Sequence, residues 1–311
     1  FFSRSDSHMQ LFPRAHGIHG IHGIPLPEAG ECINDVVFDS YGTRLAVCTN
    51  SCILIYGAQE DWPQLARIDG AHSDAIWRLS WSHSQRGDLL VSCSEDRQVI
   101  VWTEQGFGAW KKCFQKTLGA PVLDVRFASP ALGIKFAAIT AESQVNVFEC
   151  TTPATLQRWE SQDVMIQDKG KPGAVDWKPV MPLASKQDRL EVLAVGLHDR
   201  LVIAAKGARW VEQACQELKN DSAIQDVAWC PKTCRSYEVV ATCGLGVQLW
   251  RLDQSKDRSP WRLELLQDLL PDKALVWRCS WNAMGSTLAA CPENSEVCLW
   301  TSVGKEFKLN S

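Results

Sequence analysis

Long apolar runs are missing from this chain of 311 residues. No stretch approaches the roughly 18 apolar residues of a membrane-spanning helix, so the sequence predicts no transmembrane segment. Positive charge is not in excess either, because the formal net charge is −4. A basic surface that binds nucleic acid without sequence preference is therefore not expected, and we predict no direct nucleic-acid contact.

Motifs of catalysis are absent as well. The chain contains no G-x-x-x-x-G-K-[ST] phosphate loop, no G-x-S-x-G nucleophile elbow and no H-E-x-x-H motif. His72, Ser73 and Asp74 are adjacent in sequence, and adjacent residues cannot present the geometry of a Ser-His-Asp triad. We predict a protein that is not an enzyme, with no catalytic residues and no cofactor.

Regular cysteine spacing is also lacking. The 13 cysteines are an odd number, and most lie in apolar strand patterns, which indicates small buried side chains in a reducing compartment. Cys48 and Cys52 are four apart, like Cys230 and Cys234, but no second ligand pair stands nearby at zinc-site spacing. We predict no metal site.

Residues 1–30 differ in composition from the rest of the chain. A triple His-Gly-Ile repeat covers residues 16–24, and Pro13 and Pro25 flank it. The glycines oppose a helix that would align the three histidines, so the repeat gives little support to metal binding. The segment also lacks the continuous apolar centre of a signal peptide. We expect a flexible N-terminal arm.

Aromatic residues, by contrast, are abundant and periodic, with 14 tryptophans in the chain. Residues 75–102 contain three short apolar segments separated by polar turns, which predicts a meander of three strands. Such a sheet is too small to be stable alone, so neighbours of the same kind are expected. Copies of the pattern occur at residues 32–56, 75–102, 121–148, 174–204, 224–250 and 275–300.

The six copies align on an aromatic residue of the first predicted strand, and these positions are 43 to 52 residues apart. The aligned residues are Phe38, Trp81, Phe127, Trp177, Trp229 and Trp281. A fourth strand is expected between copies, at residues 64–68, 110–115, 155–159, 210–215 and 261–266. A period of about 40 to 50 residues with four strands is that of propeller blades. We predict an all-β propeller over residues 31–303, followed by a C-terminal tail at 304–311.

One place in the first strand of each copy is polar. It is occupied in chain order by Asp35, Arg78, Asp124, Asp176, Asp226 and Arg278. A residue that recurs around a ring is typical of structure rather than of a single catalytic cluster. We interpret these side chains as polar anchors for loop backbone N–H groups.

The order of the motifs resembles the Sec-thirteen-like branch of the WD-repeat propellers, and within it the SEH-type nucleoporins. The resemblance covers residues 30–303 and rests on I-N-D-V at 33–36, S-C-S-E-D-R at 92–97 and V-W-R-C-S-W-N at 276–282. F-E-C at 148–150, followed by L-Q-R-W at 156–159, is similar to the SEH type. The Trp-Asp pair itself is degraded to Trp-Thr or Trp-Arg, and the fourth copy is divergent.

The resemblance implies a six-bladed open propeller that is completed by a blade donated from a partner. It implies a scaffold subunit of the Y-shaped coat of the nuclear pore, which binds an α-solenoid nucleoporin and other subunits of that complex. Family members also serve a coat complex that regulates TOR signalling. The expected locations are the nuclear pore and envelope and the lysosomal or vacuolar membrane surface, with membrane association through the coat alone. The alternative is a Sec-thirteen-type subunit of the secretory vesicle coat.

An open ring leaves unpaired backbone groups and apolar side chains along its gap, and an inserted strand would cover them by β-augmentation. We therefore expect partner contacts on the first and last copies. The predicted contact residues are Ile33, Val36, Phe38, Leu45, Val47, Ile55, Val276, Trp277, Cys279, Leu288 and Leu299. Because strand residues alternate between two faces, the alternative is that some of them pack inside the ring.

Overall fold

The computed structural model describes residues 32–59, 61–82, 88–106, 108–167, 170, 172–181, 189–218, 223–231, 237–253, 261–270, 274–293, 297–304 and 306–310. Across these residues the regular structure is β-strand, apart from a short 3₁₀ turn at Pro130–Leu132. The all-β prediction is confirmed. No helix in the described part is long and apolar enough to cross a membrane. The predicted arm at 1–30, with its histidine repeat, lies outside the described residues.

The strands group in fours along the chain, and each four is called a unit. Units one and two contain β1 (Ile33–Phe38), β2 (Arg44–Thr49), β3 (Cys52–Gly57), β4 (Gln64–Asp69), β5 (Ile76–Trp81), β6 (Leu89–Ser94), β7 (Gln98–Glu104) and β8 (Trp110–Thr117). Units three and four contain β9 (Val122–Phe127), β10 (Lys135–Thr140), β11 (Val145–Cys150), β12 (Trp159–Met165), β13 (Pro172–Trp177), β14 (Val192–Leu197), β15 (Arg200–Lys206) and β16 (Trp210–Glu217). Units five and six contain β17 (Asp226–Trp229), β18 (Glu238–Gly244), β19 (Gly246–Asp253), β20 (Arg262–Asp268), β21 (Val276–Trp281), β22 (Thr287–Pro292), β23 (Cys298–Val303) and β24 (Glu306–Leu309).

Each unit is an antiparallel meander in which strands adjacent in sequence pair with each other. Units three and four form one eight-stranded sheet, because β12 and β16 pair in parallel at Val164–Trp210 and Met165–Val211. The other four units are separate four-stranded sheets. The described strands therefore form five sheets, and the count of six blades stays a prediction.

The predicted fourth strands begin as expected at Gln64, Trp110 and Trp210. In unit three the fourth strand begins later than predicted. Leu156 has a φ of +57° and its N–H donates to the Thr152 carbonyl, so the start of the predicted strand forms a turn instead. Residues 304–311, expected as a tail, instead include β24, which pairs with β23. The buried ring of Phe307 packs edge-on against Trp281 at 5.3 Å and anchors β24.

Adjacent units pack on one another through their first strands. Contacts run from β1 to β5, β9, β13, β17 and β21 in turn. Apolar side chains of neighbouring units share cores, as where Ile53 and Ile55 meet Ile76, Leu79 and Trp81. Within the described residues, comparable packing is not found between β21 and β1. The two ends of the series therefore differ from the interfaces between successive units.

Indole groups also join the units. Three of the aligned tryptophans donate from Nε1 to a backbone carbonyl of the preceding unit: Trp81 to Val37 at 3.1 Å, Trp177 to Arg126 at 2.9 Å and Trp281 to Ala228 at 3.1 Å. A buried indole N–H needs an acceptor, and these bonds supply one. Three of the six periodic aromatic residues are thus bonded across the interfaces as well as packed there.

Candidate partner-binding face

The aspartates of the first strands bond to the next unit. Asp35, Asp124 and Asp226 stand three residues before the aligned aromatic residue, whereas Asp176 stands one residue before Trp177, so its predicted place is wrong. Each accepts a backbone N–H of a neighbouring first strand: Asp35 from Leu79 at 3.0 Å, Asp124 from Val175 at 3.0 Å, Asp176 from Trp229 at 2.7 Å and Asp226 from Cys279 at 3.2 Å. Our interpretation as anchors for loop N–H groups is wrong in this respect. The donors lie on the first strand of the next unit, which sequence spacing within one copy did not indicate.

Arginines balance these carboxylates. Arg78 is buried and lies 3.3 Å from Asp226, 3.5 Å from Asp124 and 3.9 Å from Asp35. Burial alone would raise the pKa of Asp226, but the guanidinium groups of Arg78 and Arg126 hold it below its usual value. The cluster is therefore a network of compensated charges that ties together units distant in sequence.

Asp226 also belongs to a group that could hold a metal ion by distance. The ligand atoms of Asp226, Cys243 and Cys279 lie within 4.8 Å of one another. A hydrogen bond to Cys243, together with burial, raises the pKa of Cys279 well above its usual value, so this thiol is protonated at neutral pH. Metal binding requires the thiolate, and Asp226 is already neutralised by arginine. A metal at this group would therefore have to displace the Cys279 proton and compete with arginine for Asp226.

The predicted contact residues of unit one fall on two faces. Ile33, Leu45 and Val47 are buried in a cluster formed by unit one, with Val36 partly buried beside it. Ile55 lies on the opposite face and packs toward unit two. Phe38 is 42% exposed, and its ring centroid is 6.1 Å from that of Trp62.

The predicted contact residues of unit six are divided in the same way. Val276, Cys279 and Leu288 are buried in the core shared with unit five. Trp277 and Leu299 are 48% and 40% exposed. The first three residues therefore support unit six from within, and the last two lie on its surface.

The exposed side of unit six forms a continuous face of its sheet. Ser280 pairs with Ala289 across β21 and β22, and Ala289 pairs with Leu299 across β22 and β23, so these three side chains lie on one face. Ser280 is exposed, and Ala289 and Cys291 are half-buried. We call Trp277, Ser280, Ala289, Cys291 and Leu299 the open face. Sequence reasoning missed its three central members, although the near copy of this unit at 76–102 carries the same register.

Comparisons with known proteins agree with the repeat. The family described as "WD domain, G-beta repeat" matches residues 63–103, which contain β4 to β7. The Cps50 (Swd1) β-propeller domain of Myceliophteria thermophila superposes with a TM-score of 0.69 at 18% identity, covering 90% of this chain and 85% of that domain. A chain of the Mitotic Checkpoint Complex superposes with a TM-score of 0.68 at 13% identity, covering 90% of this chain and 78% of that one. These likenesses establish the propeller fold.

Sequence relatives extend over nearly the whole chain. The Protein SEC13 homolog of Drosophila melanogaster is 27% identical over 297 residues, which are 91% of this chain and 82% of the relative. Nucleoporin SEH1 of Homo sapiens is 27% identical over 301 residues, which are 87% of this chain and 81% of the relative. The chain contains a match to one WD40 repeat, has a β-propeller fold and is similar to SEC13 and SEH1. The resemblance predicted from the motifs is confirmed.

The matched WD40 repeat contains a series of buried polar side chains. His72 Nδ1 lies 3.0 Å from Asp96 Oδ2, His72 Nε2 lies 2.8 Å from Ser92 Oγ, and Trp102 Nε1 donates to the same hydroxyl at 2.9 Å. Ser92, His72 and Asp96 are the residue types of a nucleophilic triad, but the His72 side chain is fully buried and Ser92 is too. No substrate reaches such a serine, so the arrangement ties β6, β7 and the turn at Asp96 together. Burial lowers the pKa of His72, which keeps the imidazole neutral at pH 7.

Proposed function

We propose that this WD40-repeat propeller is a structural scaffold subunit of the Y-shaped coat of the nuclear pore. In this proposal it is a six-bladed open propeller, and an α-solenoid nucleoporin inserts an extra blade between unit one and unit six. The observation that carries the proposal is the open face, because it is a sheet face rich in apolar residues that no neighbouring unit covers among the described residues. Relatives named nucleoporin SEH1 support the assignment to the pore.

The proposed contacts are graded by accessibility. Trp277 and Leu299 meet the inserted blade directly, and Phe38 meets it from the side of unit one. Ile33, Val36, Leu45 and Val47 form the wall of unit one, where an added strand would complete the apolar layer. Ile55, Val276, Cys279 and Leu288 hold these walls in place from the neighbouring cores.

The scaffold acts at the nuclear pore and envelope, where it supports nucleocytoplasmic transport together with other Y-complex subunits. A coat complex that regulates TOR signalling, at the lysosomal or vacuolar membrane surface, is the second assembly of the same proposal. In both cases the propeller reaches the membrane through its coat partners. The proposal involves no catalysis and no direct contact with nucleic acid.

Affinity purification of the tagged full-length chain, followed by mass spectrometry, tests this proposal. The wild type should recover an α-solenoid nucleoporin, and Leu299→Asp should reduce recovery at least about tenfold, because a carboxylate buried in an apolar interface is strongly unfavourable. Leu265→Asp is the matched control, since Leu265 is 45% exposed but lies on β20 of unit five. Thermal unfolding of both variants shows whether the fold is retained.

Two results would contradict the proposal. Recovery of a vesicle-coat solenoid in place of a nucleoporin would assign the chain to the SEC13-type alternative. Equal recovery of a nucleoporin by wild type and by Leu299→Asp would show that the partner binds somewhere other than the open face.

A further inference from the structure

Unit six repeats unit two in sequence and in strand register. Residues 276–281 read V-W-R-C-S-W, and residues 76–81 read I-W-R-L-S-W. Ser80 pairs with Val91, and Val91 pairs with Val101, in the same positions as Ser280, Ala289 and Leu299. The open face of unit six therefore corresponds residue by residue to one face of unit two.

In unit two, this face is covered by β9 of unit three. Val91 and Val101 are fully buried in a core that includes Val125 and Phe127. Ser80 Oγ accepts the backbone N–H of Phe127 at 2.9 Å. A serine thus takes the place of Asp176, which accepts the N–H of the aromatic residue Trp229 in unit five, and it binds the strand of the next unit at its aromatic residue.

The arginine of the same motif also binds the covering strand. Arg78 Nε lies 3.5 Å from Asp124 Oδ1, and Asp124 stands three residues before Phe127 on β9. The covering strand therefore presents two matched features to unit two: a carboxylate to the arginine and, three residues later, the N–H of an aromatic residue to the serine.

In unit six, the matching groups are accessible. Ser280 is exposed, and the Arg278 side chain retains 36% of its surface, whereas that of Arg78 retains 4%. Arg278 reaches unit one, with Nη2 at 3.5 Å from the Asn34 carbonyl and Nε at 4.0 Å from Asp35. The ion pair of Arg278 with Asp35 at 4.0 Å is therefore weaker than the ion pairs of Arg78 with Asp124 and Asp226.

We propose that the open face binds a partner strand of the β9 type, which carries an acidic residue three positions before an aromatic residue. The carboxylate of this strand pairs with Arg278, and the backbone N–H of its aromatic residue donates to Ser280 Oγ. Apolar side chains of the strand cover Leu299 and Ala289, as Val125 and Phe127 cover Val101 and Val91. The inference rests on the blade insertion proposed above, and it specifies the innermost strand of the donated blade.

The N-terminal arm of the chain itself does not fit this pattern. Its acidic residues are Asp6, Glu28 and Glu31, and the residues three positions later are Met9, Glu31 and Asn34. None of these is aromatic. Unit one has this spacing at Asp35 and Phe38, but Ser280 and Phe38 remain exposed, so β1 does not cover the open face. The proposal therefore commits to a strand of a partner protein.

Photocrosslinking from position 277 tests the sequence of the bound strand. The full-length tagged chain carries p-benzoylphenylalanine in place of Trp277, is irradiated in cells, and the crosslinked peptide is sequenced by mass spectrometry. We expect a peptide with Asp or Glu three residues before Phe, Tyr or Trp. A peptide without this spacing, a crosslink to the arm or to a second copy of the chain, or no crosslink at all would overturn the inference.

The two proposals fail separately in this experiment. If the crosslinked peptide has the expected spacing but belongs to a protein that is not a nucleoporin, the inference holds and the nuclear pore assignment fails. If an α-solenoid nucleoporin co-purifies but crosslinks through a segment without the spacing, the scaffold assignment holds and the inference fails.

A pair of variants isolates the hydrogen bond of Ser280. Threonine keeps the hydroxyl acceptor and valine has the same shape without it, so Ser280→Thr and Ser280→Val differ mainly in this bond. With the crosslinked partner co-expressed and purified, Ser280→Val should bind about two- to tenfold more weakly than Ser280→Thr. Equal affinity of the two variants would overturn the assignment of the acceptor.

Discussion

Removal of the Asp226 carboxylate should destabilise the propeller more than removal of a charge on the protein surface does. The side chain is buried, and it accepts the Cys279 N–H at 3.2 Å from unit six and the Val227 N–H at 3.1 Å. Arg78 and Arg126 each place an Nη2 at 3.3 Å from Asp226 Oδ1. In Asp226→Ala the two guanidinium groups lose a shared partner, and a buried N–H between units five and six loses its acceptor.

The magnitude follows from these contacts. Breaking a buried ion pair by removing one partner typically costs about 3–5 kcal/mol. Arg78 keeps Asp124 at 3.5 Å and Asp35 at 3.9 Å, which lowers the cost, whereas the orphaned N–H of Cys279 adds about 1–3 kcal/mol. These contributions are not additive, and we expect Asp226→Ala to lower the free energy of unfolding by about 3–5 kcal/mol.

Urea unfolding followed by tryptophan fluorescence measures this effect. The control is Asp69→Ala, because Asp69 is 67% exposed and forms a surface pair with Arg67 at 2.7 Å, for which a loss below about 0.5 kcal/mol is expected. Adding Arg78→Met to Asp226→Ala should recover part of the loss, since it removes a buried guanidinium group that has lost its contact with Asp226 at 3.3 Å. If the losses in the free energy of unfolding of Asp226→Ala and Asp69→Ala differ by less than about 1 kcal/mol, the charge network does not hold the units together as we argue.

Two further predictions concern a glycine and a titrating carboxyl group. Gly285 has a φ of +62°, and a Cβ there would lie 2.4 Å from the Pro231 carbonyl oxygen and 2.8 Å from Cys230 Sγ. Gly42 is the control, because its φ is +66° but nothing lies within 4 Å of its Cβ position. In urea unfolding, Gly285→Ala should be less stable than Gly42→Ala by at least about 1 kcal/mol, and equal losses would contradict the contact. Burial raises the pKa of Asp176 to about 6 in the folded protein, from 3.8. The folded state therefore binds the proton of the Asp176 carboxyl group more tightly than the unfolded state does. This proton stabilises the fold by up to about 3 kcal/mol below pH 4, and the stabilisation is lost as the pH rises through 6. Between pH 4.5 and pH 7.5, the urea midpoint of the wild type should fall relative to that of Asp176→Asn. A difference between the two midpoints that is the same at both pH values would contradict this prediction.

Features that depend on neighbours in sequence were predictable. Strand alternation and turn residues indicated the meander at 75–102, and the recurring aromatic residues indicated its repetition, because both patterns are set by local backbone geometry. The fourth strands at Gln64 and Trp110 followed from the same alternation. The turn at Leu156 did not follow, because a positive φ at leucine has no sequence signature.

The polar partners were decided by the tertiary structure. Sequence reasoning considered His72 with Ser73 and Asp74, but folding brings it to Ser92 and Asp96, which lie on the next strand and its turn. Asp226 and Arg78 are 148 residues apart and meet because first strands of different units converge. Such pairs follow from the arrangement of whole sheets, and no local pattern encodes them.

The sequence by itself determined that the chain is a repeating all-β propeller, since apolar alternation and aromatic spacing are local properties. Only the tertiary structure decided which side of unit six is open. The alternation of apolar and polar residues places Trp277 and Cys279 in a strand. It does not indicate which of the two faces of this sheet is covered by a neighbouring unit. Unit five covers Val276, Cys279 and Leu288, and this packing leaves Trp277, Ser280 and Leu299 exposed.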